Sequence, residues 1–274
     1  MNKQSKAKAS EVLLAIDIGN TSISYGWFEN GQLKRYCYGG IDKFPRIGVF
    51  NVRKGGNLHN YKVIISSVNP NSYVKVMSKL TELRHKDFKI KTYLIGHNIK
   101  PLIRHKYFNI KKLGKDRLVN IYGGVARWCK HPLLIINLGT ATTCDFISQT
   151  GVFEGGLIIP GVETSWKALQ ERAALLPEIH QITFRKALLG QNTKDCMISG
   201  ILQGSGAMVD GLVAKFRERH GKKMQVLISG GLAKLIKPFI KNKVTVDQAH
   251  TLKSLALIYQ DYILQKKWGT VHER

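Results

Sequence analysis

The 274-residue chain carries 43 Lys and Arg residues against 18 Asp and Glu residues, a formal net charge of +25. Because 43% of the residues are hydrophobic and 9% are aromatic, the chain has enough apolar material for one or two packed cores, which excludes a disordered basic tail. The length fits two compact domains or one large one. The positive charge makes nucleic acid, anionic membrane and nucleotide phosphates candidate partners, and charge alone does not choose among them.

The cysteines and the N-terminus indicate the compartment. Four cysteines, at positions 37, 129, 144 and 196, show no metal-binding or disulfide-framework spacing, which favours a reducing cytoplasm. Residues 1–10 are predicted to be a flexible extension. Asp17 interrupts the apolar run that follows, so neither a signal peptide nor a membrane-spanning helix fits. We therefore expect a cytoplasmic protein with no membrane partner.

After this extension the chain is predicted to begin with a strand, a polar turn and a second strand. Residues 12–16 form a short apolar run, residues 17–21 are polar, and the mixed run that follows ends at Asn30-Gly31. Asn-Gly is a typical closing turn of a β-hairpin. The pattern therefore predicts a hairpin with a polar turn between its first two strands.

The same pattern recurs 120 residues further along the chain. An apolar run at residues 133–136 precedes a polar turn at residues 137–143 and a closing turn at Gln149-Thr150-Gly151, and Gly139 takes the place of Gly19. One copy alone is an ordinary hairpin, whereas two copies indicate a duplicated unit. Each polar turn offers a glycine and exposed N–H groups, which suit the gripping of a phosphate chain.

The remaining predicted elements alternate between strands and helices. The strands cover residues 61–68, 91–95 and 226–228, and the helices cover residues 74–83, 193–219 and 248–265, with one more helix beginning near Asp116. This alternation predicts two α/β halves. We place an N-terminal domain at residues 11–119 and a C-terminal domain at residues 120–274.

The helix predicted at residues 193–219 contains four glycines, at positions 200, 204, 206 and 211. Glycine destabilises a helix interior, so we expect this helix to pack closely against another backbone. Either a helix of the same subunit or a dimer partner fits this expectation.

Two acidic residues are candidates for chemistry. Asp17 follows an apolar strand, where a carboxylate is uncommon unless it caps a turn, so coordination of a metal or a water is the sharper interpretation. Asp116 follows Gly114 and Lys115 at the start of a predicted helix, where the helix dipole favours a carboxylate. A first-turn acid with no catalytic role is the alternative for Asp116.

Four motifs, in their order and spacing, closely resemble those of type III pantothenate kinases. They are Asp17-Ile18-Gly19-Asn20-Thr21, Gly114-Lys115-Asp116-Arg117, Leu138-Gly139-Thr140-Ala141-Thr142-Thr143-Cys144-Asp145 and Gly155-Gly156-Leu157-Ile158-Ile159-Pro160-Gly161. The resemblance covers nearly the whole chain from about residue 12 and includes Leu176-Pro177 and Ser229-Gly230-Gly231.

The resemblance implies an α/β fold of two ribonuclease-H-like domains, as in the superfamily of actin, sugar kinases and chaperone ATPases, with the active site in the interdomain cleft. It also implies a homodimeric transferase that uses ATP and Mg²⁺ to phosphorylate pantothenate to 4′-phosphopantothenate. This reaction is the first step of coenzyme A biosynthesis.

The resemblance also implies roles for individual residues. The ATP-binding residues would be Asp17, Ile18, Gly19, Asn20, Thr21, Ser22, Ile23, Ser24 and Thr140, with Asp17 also holding Mg²⁺. The pantothenate-binding residues would be Tyr107, Gly114, Lys115, Asp116, Arg117 and Thr193, and Asp116 would be the catalytic proton acceptor. From the residues alone, Tyr107 could equally pack its ring in a core, and Thr193 could be only a helix N-cap.

The sequence departs from the family at three places. Asn137 stands where the family has an aspartate that helps to bind K⁺ or NH₄⁺, the family's monovalent cation. Because an amide oxygen lacks a full negative charge, we expect weakened or absent K⁺ dependence. Lys115 stands where a small residue is common, and Asn109-Ile110 replaces the prolines often found before this motif.

Two other functions stay open. A nucleic-acid-associated accessory regulator is favoured by a basic segment with interleaved aromatic residues, namely Lys100, Arg104, Lys106, Tyr107, Phe108, Lys111, Lys112, Lys115 and Arg117. A kinase homologue that binds ATP without turnover is favoured only by Asn137. Because the basic segment overlaps the predicted cleft for two anionic substrates, we prefer the kinase, and nucleic acid is the less favoured partner.

Overall fold

The computed structural model describes residues 12–40, 60–84, 89–128, 130–180 and 182–269, so the predicted flexible extension at residues 1–10 lies outside the described residues. The chain divides into two compact units. The first comprises the described residues up to Pro101 and those from Leu252 onward, and the second comprises Leu102–Thr251.

The first unit contains one five-stranded sheet. Its elements are β1 (Val12–Ile18), β2 (Ser22–Glu29), β3 (Gln32–Gly40), β4 (Asn60–Ser67), α1 (Pro70–Arg84) and β5 (Lys89–Leu94). The strand order is β3-β2-β1-β4-β5, with β1, β4 and β5 parallel and the first hairpin antiparallel. The predicted hairpin turn is confirmed, because Asn30 and Gly31 both have positive φ, 51° and 79°.

The second unit contains a six-stranded sheet of order β11-β10-β7-β8-β9-β6. Its elements are β6 (Arg104–His105), α2 (Lys115–Trp128), β7 (Leu133–Leu138), β8 (Ala141–Ile147), β9 (Val152–Pro160), α3 (Val162–Arg172), α4 (Thr193–His220), β10 (Gln225–Ser229), α5 (Ala233–Ile236) and β11 (Thr245–Val246). The last helix, α6 (His250–Gly269), begins in this unit and continues in the first.

The two sheets share one topology. The order β3-β2-β1-β4-β5 in the first unit matches β9-β8-β7-β10-β11 in the second, and β6 is an added edge strand. In both sheets the first strand is antiparallel to the second and parallel to the fourth. The duplication predicted from the two polar turns is therefore present in the sheet order as well.

The division of the chain differs from the boundary expected at residues 119 and 120. The second unit begins at Leu102 because β6 pairs with β9 and α2 packs on β7 and β8, with Leu118 and Ile121 in one cluster with Leu133 and Ile135. The residues from Leu252 onward also belong to the first unit. The packing of a helix on a sheet formed later in the chain cannot be predicted from a local pattern, and the predicted boundary therefore fell inside α2.

The sheet of the second unit is covered on both faces. Leu134, Ile136 and Leu138 face a core cluster shared with α3, α4 and α5, whereas Leu133 and Ile135 face the α2 side. Alternate residues of a strand point to opposite faces, so a strand buried on both faces becomes a continuous apolar run. The apolar run at residues 133–136 that predicted this strand has that cause.

Among the described helices, α4 alone is long and apolar enough, by length and composition, to cross a membrane. Its buried residues Met197, Ile198, Leu202, Val209 and Val213 belong to the core of the second unit. The close packing expected at its glycines occurs at Gly206, where an added Cβ would lie 2.6 Å from the Cβ of Phe239.

Candidate functional site

The first polar turn lies at the end of β1. Asp17 sits in the sheet between Ser24 of β2 and Ser66 of β4. The Gly19 N–H donates to the Ser22 carbonyl at 2.9 Å, and a Cβ on Gly19 would lie 3.1 Å from the same oxygen. Glycine therefore allows the chain to reverse tightly just after the carboxylate.

The predicted ATP-binding residues of this turn differ in their exposure to solvent. The side chains of Ile18 and Ile23 are buried in the core of the first unit, at 0% and 1% exposure, so only their backbones can face a ligand. Asn20 and Thr21 are exposed. Ser22 is half-buried, and its Oγ accepts a hydrogen bond from the Tyr38 hydroxyl at 2.9 Å.

The surroundings of Asp17 fit a magnesium ion that arrives with a nucleotide. The neighbouring strand residues offer hydroxyl oxygens, and the buried Ser66 hydroxyl has no hydrogen-bond partner among the described residues. In the described part of the chain, no three His, Cys, Asp or Glu side chains are grouped to hold a metal. Magnesium commonly takes one or two carboxylates and completes its shell with waters and phosphate oxygens, which matches this donor set.

The second polar turn lies at the end of β7, where three glycine turns meet. The Thr140 carbonyl accepts the Gly161 N–H at 3.1 Å and the Thr164 hydroxyl at 2.6 Å. Gly230, which follows β10, has a φ of 95°, and an added Cβ would collide with the Leu138 carbonyl. Glycine is required at this close approach, and the backbone groups that meet at this edge are of the kind that suits phosphate.

Asn137, the predicted cation ligand, lies in this edge beside Ser229 of β10. The Ser229 hydroxyl is fully buried and has no hydrogen-bond partner among the described residues. The local donor set is thus an amide and a hydroxyl, both neutral oxygen ligands. Such a pair attracts a cation less strongly than a carboxylate at position 137 would.

Asp116 lies in the first turn of α2, as predicted. The Gly114 carbonyl accepts the Leu118 N–H at 2.9 Å, which begins the helix. A Cβ on Gly114 would lie only 2.6 Å from Oδ1 of Asp116, so any other residue would push the carboxylate away. Gly114 therefore lets the Asp116 side chain fold back over the helix N-terminus.

Arg117 forms a buried ion pair with Asp145. Its Nη2 donates to Oδ1 of Asp145 at 2.6 Å and its Nε donates to the same oxygen at 3.0 Å, with the two side chains 8% and 2% exposed. Burial acts to lower the pKa of Arg117, but the Asp145 carboxylate outweighs it and raises that pKa. The guanidinium therefore stays charged. Burial in turn raises the pKa of Asp145, which the Arg117 guanidinium opposes.

Tyr107 has a packed ring as well as a place beside Arg117. Its ring stacks on Phe153 with a centroid distance of 5.7 Å, and the Arg117 guanidinium lies 6.0 Å from its centroid. The proximity of Tyr107 acts with the Asp145 carboxylate to raise the pKa of Arg117. The ring therefore packs as one of the two interpretations predicted, and contact of Tyr107 with a substrate stays a prediction.

Lys115 and Thr193 are each the first residue of a helix. Lys115 is half-buried at the start of α2, next to Asp116. Thr193 is exposed at the start of α4, and the N-cap of that helix is Asn192, whose Oδ1 accepts the Asp195 N–H at 2.9 Å. The alternative prediction that Thr193 is the N-cap is therefore wrong by one residue.

Within the second unit the structure brings together Tyr107, Gly114, Asp116 and Arg117, and it adds Asp145. Asp145 was not assigned a role from the sequence. The available signal was a lone carboxylate inside an apolar strand, which is costly to bury without a paired cation. Asp17 and its turn belong to the first unit.

Comparison with solved structures gives the fold. A candidate Baf family transcriptional activator from Campylobacter jejuni is 18% identical, with a TM-score of 0.54, and 91% of this chain and 98% of that chain are covered. A candidate 2-dehydro-3-deoxygalactonokinase from Sinorhizobium meliloti is 11% identical, with a TM-score of 0.57 and coverage of 91% and 96%. These likenesses confirm the predicted two-domain α/β fold.

The sequence itself identifies the family. The model of the family described as type III pantothenate kinase matches residues 13–215, which is well over half of the chain and contains both polar turns, the α2 motif and Asp145. The protein therefore belongs to the type III pantothenate kinase family.

Proposed function

We propose that the protein uses ATP to phosphorylate the primary hydroxyl of pantothenate, which produces 4′-phosphopantothenate for coenzyme A biosynthesis. Membership of a kinase family supports the class of reaction. The observation that carries the proposal is the position of Asp116, folded over the start of α2 by Gly114 and flanked by the Arg117–Asp145 ion pair.

In the proposed reaction Asp116 accepts the proton of the attacking hydroxyl while the new oxygen–phosphorus bond forms and the bond to the bridging oxygen of ADP breaks. Phosphoryl transfer depends mainly on positioning and on neutralising charge. Asp17 would hold the Mg²⁺ that accompanies ATP and supplies charge neutralisation at the phosphates. Asn20, Thr21 and Thr140 would contact the phosphates through their side chains, and Ile18 and Ile23 through their backbones only.

Arg117 is proposed to act by positioning other residues. Its guanidinium already binds Asp145 and contacts Tyr107, so it fixes the first turn of α2 against β8. Lys115 is the half-buried cation next to Asp116, and we assign to it the carboxylate of pantothenate. Tyr107, Gly114 and Thr193 stay proposed substrate contacts on the strength of the family motif.

The test is an assay of ADP release with and without pantothenate, on wild type and on Asp116→Asn. Loss of a general base typically costs about 10²–10⁴-fold in rate, so we expect kcat to fall by that factor with KM for ATP unchanged. Glu218→Gln is the matched control, because it is another acid-to-amide change at an exposed helical position. Full activity in Asp116→Asn would refute the assigned role of Asp116.

We also propose a homodimer, in which α4 contributes to the interface. An added Cβ at Gly200, Gly204 or Gly211 would have no heavy atom within 4 Å, so this face of the helix has room for a close partner. Exposed apolar side chains, Leu157 at 39% and Ile158 at 66%, lie on β9 of the same unit. Light scattering should give twice the chain mass for wild type and the chain mass for Gly204→Arg, and a monomeric wild type would overturn the dimer.

A nucleic-acid-associated regulator is the second candidate, supported by the described function of the Campylobacter jejuni neighbour. The basic segment at residues 100–117 supports it less than expected. Arg117 is buried against Asp145, Lys106 pairs with Glu154 at 2.8 Å, and the Tyr107 ring is packed. A protein that binds ATP and releases no ADP with pantothenate would instead match the third candidate, a kinase homologue without turnover.

A further inference from the structure

A row of basic residues lies along one edge of the six-stranded sheet, the edge at which β11, β10 and β7 begin. We call it the amino edge. Its basic residues are Lys241 and Lys243 before β11, Lys222 and Lys223 before β10, Lys130 before β7, and Arg104 in β6. All six are exposed.

The strand register places these residues side by side. Leu227 of β10 pairs in parallel with Thr245 of β11, and Gln225 pairs in parallel with Leu133 of β7, so the three strands start together. The hairpin between β8 and β9 returns to the same edge, since Leu133 faces Ile147. Arg104 continues the row, because its Nη1 donates to the Thr150 carbonyl of that hairpin at 3.2 Å.

The positive charge of this edge exceeds that of the carboxylates beside it, Asp210 and Glu218. In the described part of the chain none of the six residues of the amino edge forms an ion pair. Lys215 and Arg219, exposed near the end of α4, add to the charge, and Glu218 is the exposed acid beside them.

The loop that carries Lys241 and Lys243 is held in place. The Asp210 carboxylate of α4 accepts the Lys241 and Asn242 N–H groups, both at 2.9 Å. Arg217 donates through Nη2 to the Lys243 carbonyl at 3.3 Å. The two lysine side chains therefore extend from a backbone that is held in place. The Asp210 carboxylate binds the backbone N–H groups of this loop.

The proposed ATP site does not account for this charge. The glycine turns at Gly139 and Gly230 lie at the opposite edge, where β7 and β10 end. The five residue steps from Leu133 to Leu138 separate the two edges by roughly 17 Å at a rise of about 3.3 Å per residue. That distance exceeds a Debye length of about 8 Å at physiological salt, so the amino edge contributes little to holding ATP phosphates.

We propose that the amino edge binds the phosphate backbone of double-stranded nucleic acid without reading its sequence. The six strands span five intervals of about 4.8 Å, or roughly 24 Å, which matches about seven base pairs. Five of the six cations are lysines, which act as point charges toward phosphate and lack the planar fork that reads bases. A linear row of charge fits a linear polyanion better than a membrane plane. Leu102, two residues before Arg104 in the chain, is an exposed large apolar residue, and a single side chain of this kind is a small anchor for a bilayer.

The test is fluorescence anisotropy of a labelled 24-base-pair duplex, titrated from 50 to 200 mM salt. Six phosphate contacts predict that wild-type affinity falls about 10³-fold over this range. The edge variant carries Lys→Gln at positions 222, 223, 241 and 243. It should bind more weakly at 50 mM salt and lose only about tenfold over the same range, because two contacts remain. A control variant with Lys→Gln at positions 75, 79, 89 and 167 has the same net charge and should behave as wild type.

Further arms of the experiment separate this surface from the proposed kinase and from other causes. Lys→Arg at the four edge positions should keep the wild-type salt dependence, which shows that charge and not a fold defect is responsible. Pantothenate-dependent ADP release should be equal in all variants. The ADP-release assay therefore tests the kinase proposal, and the duplex titration tests the amino edge independently of it. The proposal is overturned if wild type does not bind the duplex at 50 mM salt, if the control variant loses as much binding as the edge variant, or if wild type binds phosphatidylserine vesicles but no duplex.

Discussion

Asp145→Asn should destabilise the second unit strongly, because it leaves the Arg117 guanidinium buried without its counter-charge. The pair is in contact at 2.6 Å, and the two side chains are 8% and 2% exposed. Removing one partner of a buried ion pair costs about 3–5 kcal/mol. Asparagine has nearly the volume of aspartate, so a cavity contributes little and the lost charge dominates.

The matched control is Asp195→Asn, since Asp195 pairs with Arg185 at a similar 2.9 Å but with side chains 25% and 29% exposed. Such a pair contributes about 0–1 kcal/mol. The assay is urea unfolding, which gives the change in the free energy of unfolding of each variant relative to wild type. Replacing both charges, in Arg117→Met with Asp145→Leu, should cost less than the sum of the two single changes. If Asp145→Asn costs no more than Asp195→Asn, the reasoning about an uncompensated buried charge is refuted.

Three further predictions concern separate features. Asn137→Asp should increase the activation of ADP release by K⁺ over wild type, and equal K⁺ response would contradict the assigned role of the amide. Thr251→Val should cost about 1–3 kcal/mol in thermal unfolding, because the Thr251 hydroxyl donates to the buried Oδ1 of Asn120 at 2.8 Å; an unchanged Tm would contradict this. At Asp210, burial acts to raise the pKa, but hydrogen bonds from the N–H groups of Lys241 and Asn242 outweigh it and lower that pKa. Its stabilisation is therefore present above the unfolded pKa of about 3.9 and is lost as pH falls through the lower folded value. Asp210→Asn should be less stable than wild type in urea at pH 7, and this difference should shrink toward pH 2.

Local signals predicted much of the fold. The apolar run before Asp17, the Asn30-Gly31 turn and the later copy around Gly139 predicted two hairpins, and both are present. The helix expected from Asp116 onward begins at Lys115. These features depend on side chains within a few residues of one another, so a single sequence contains the necessary information.

The partners of individual side chains could not be predicted in the same way. Asp145 lies 28 residues from Arg117, and only the packing of α2 on β8 brings them together. The folded chain pairs Arg117 with Asp145, a contact that the sequence did not predict, and a contact of Arg117 with substrate stays a prediction. The same packing moved the start of the second unit to Leu102.

The sequence by itself determined the family, the two polar turns, the acid at the start of α2 and the net charge of +25. Only the tertiary structure decided where that charge lies, because β11, β10 and β7 are distant along the chain and become neighbours through parallel pairing. Lysines at positions 130, 222 and 241 thereby form one row at the edge opposite the phosphate turns. A sequence specifies how many charges a protein has, and the strand order specifies which of them act together.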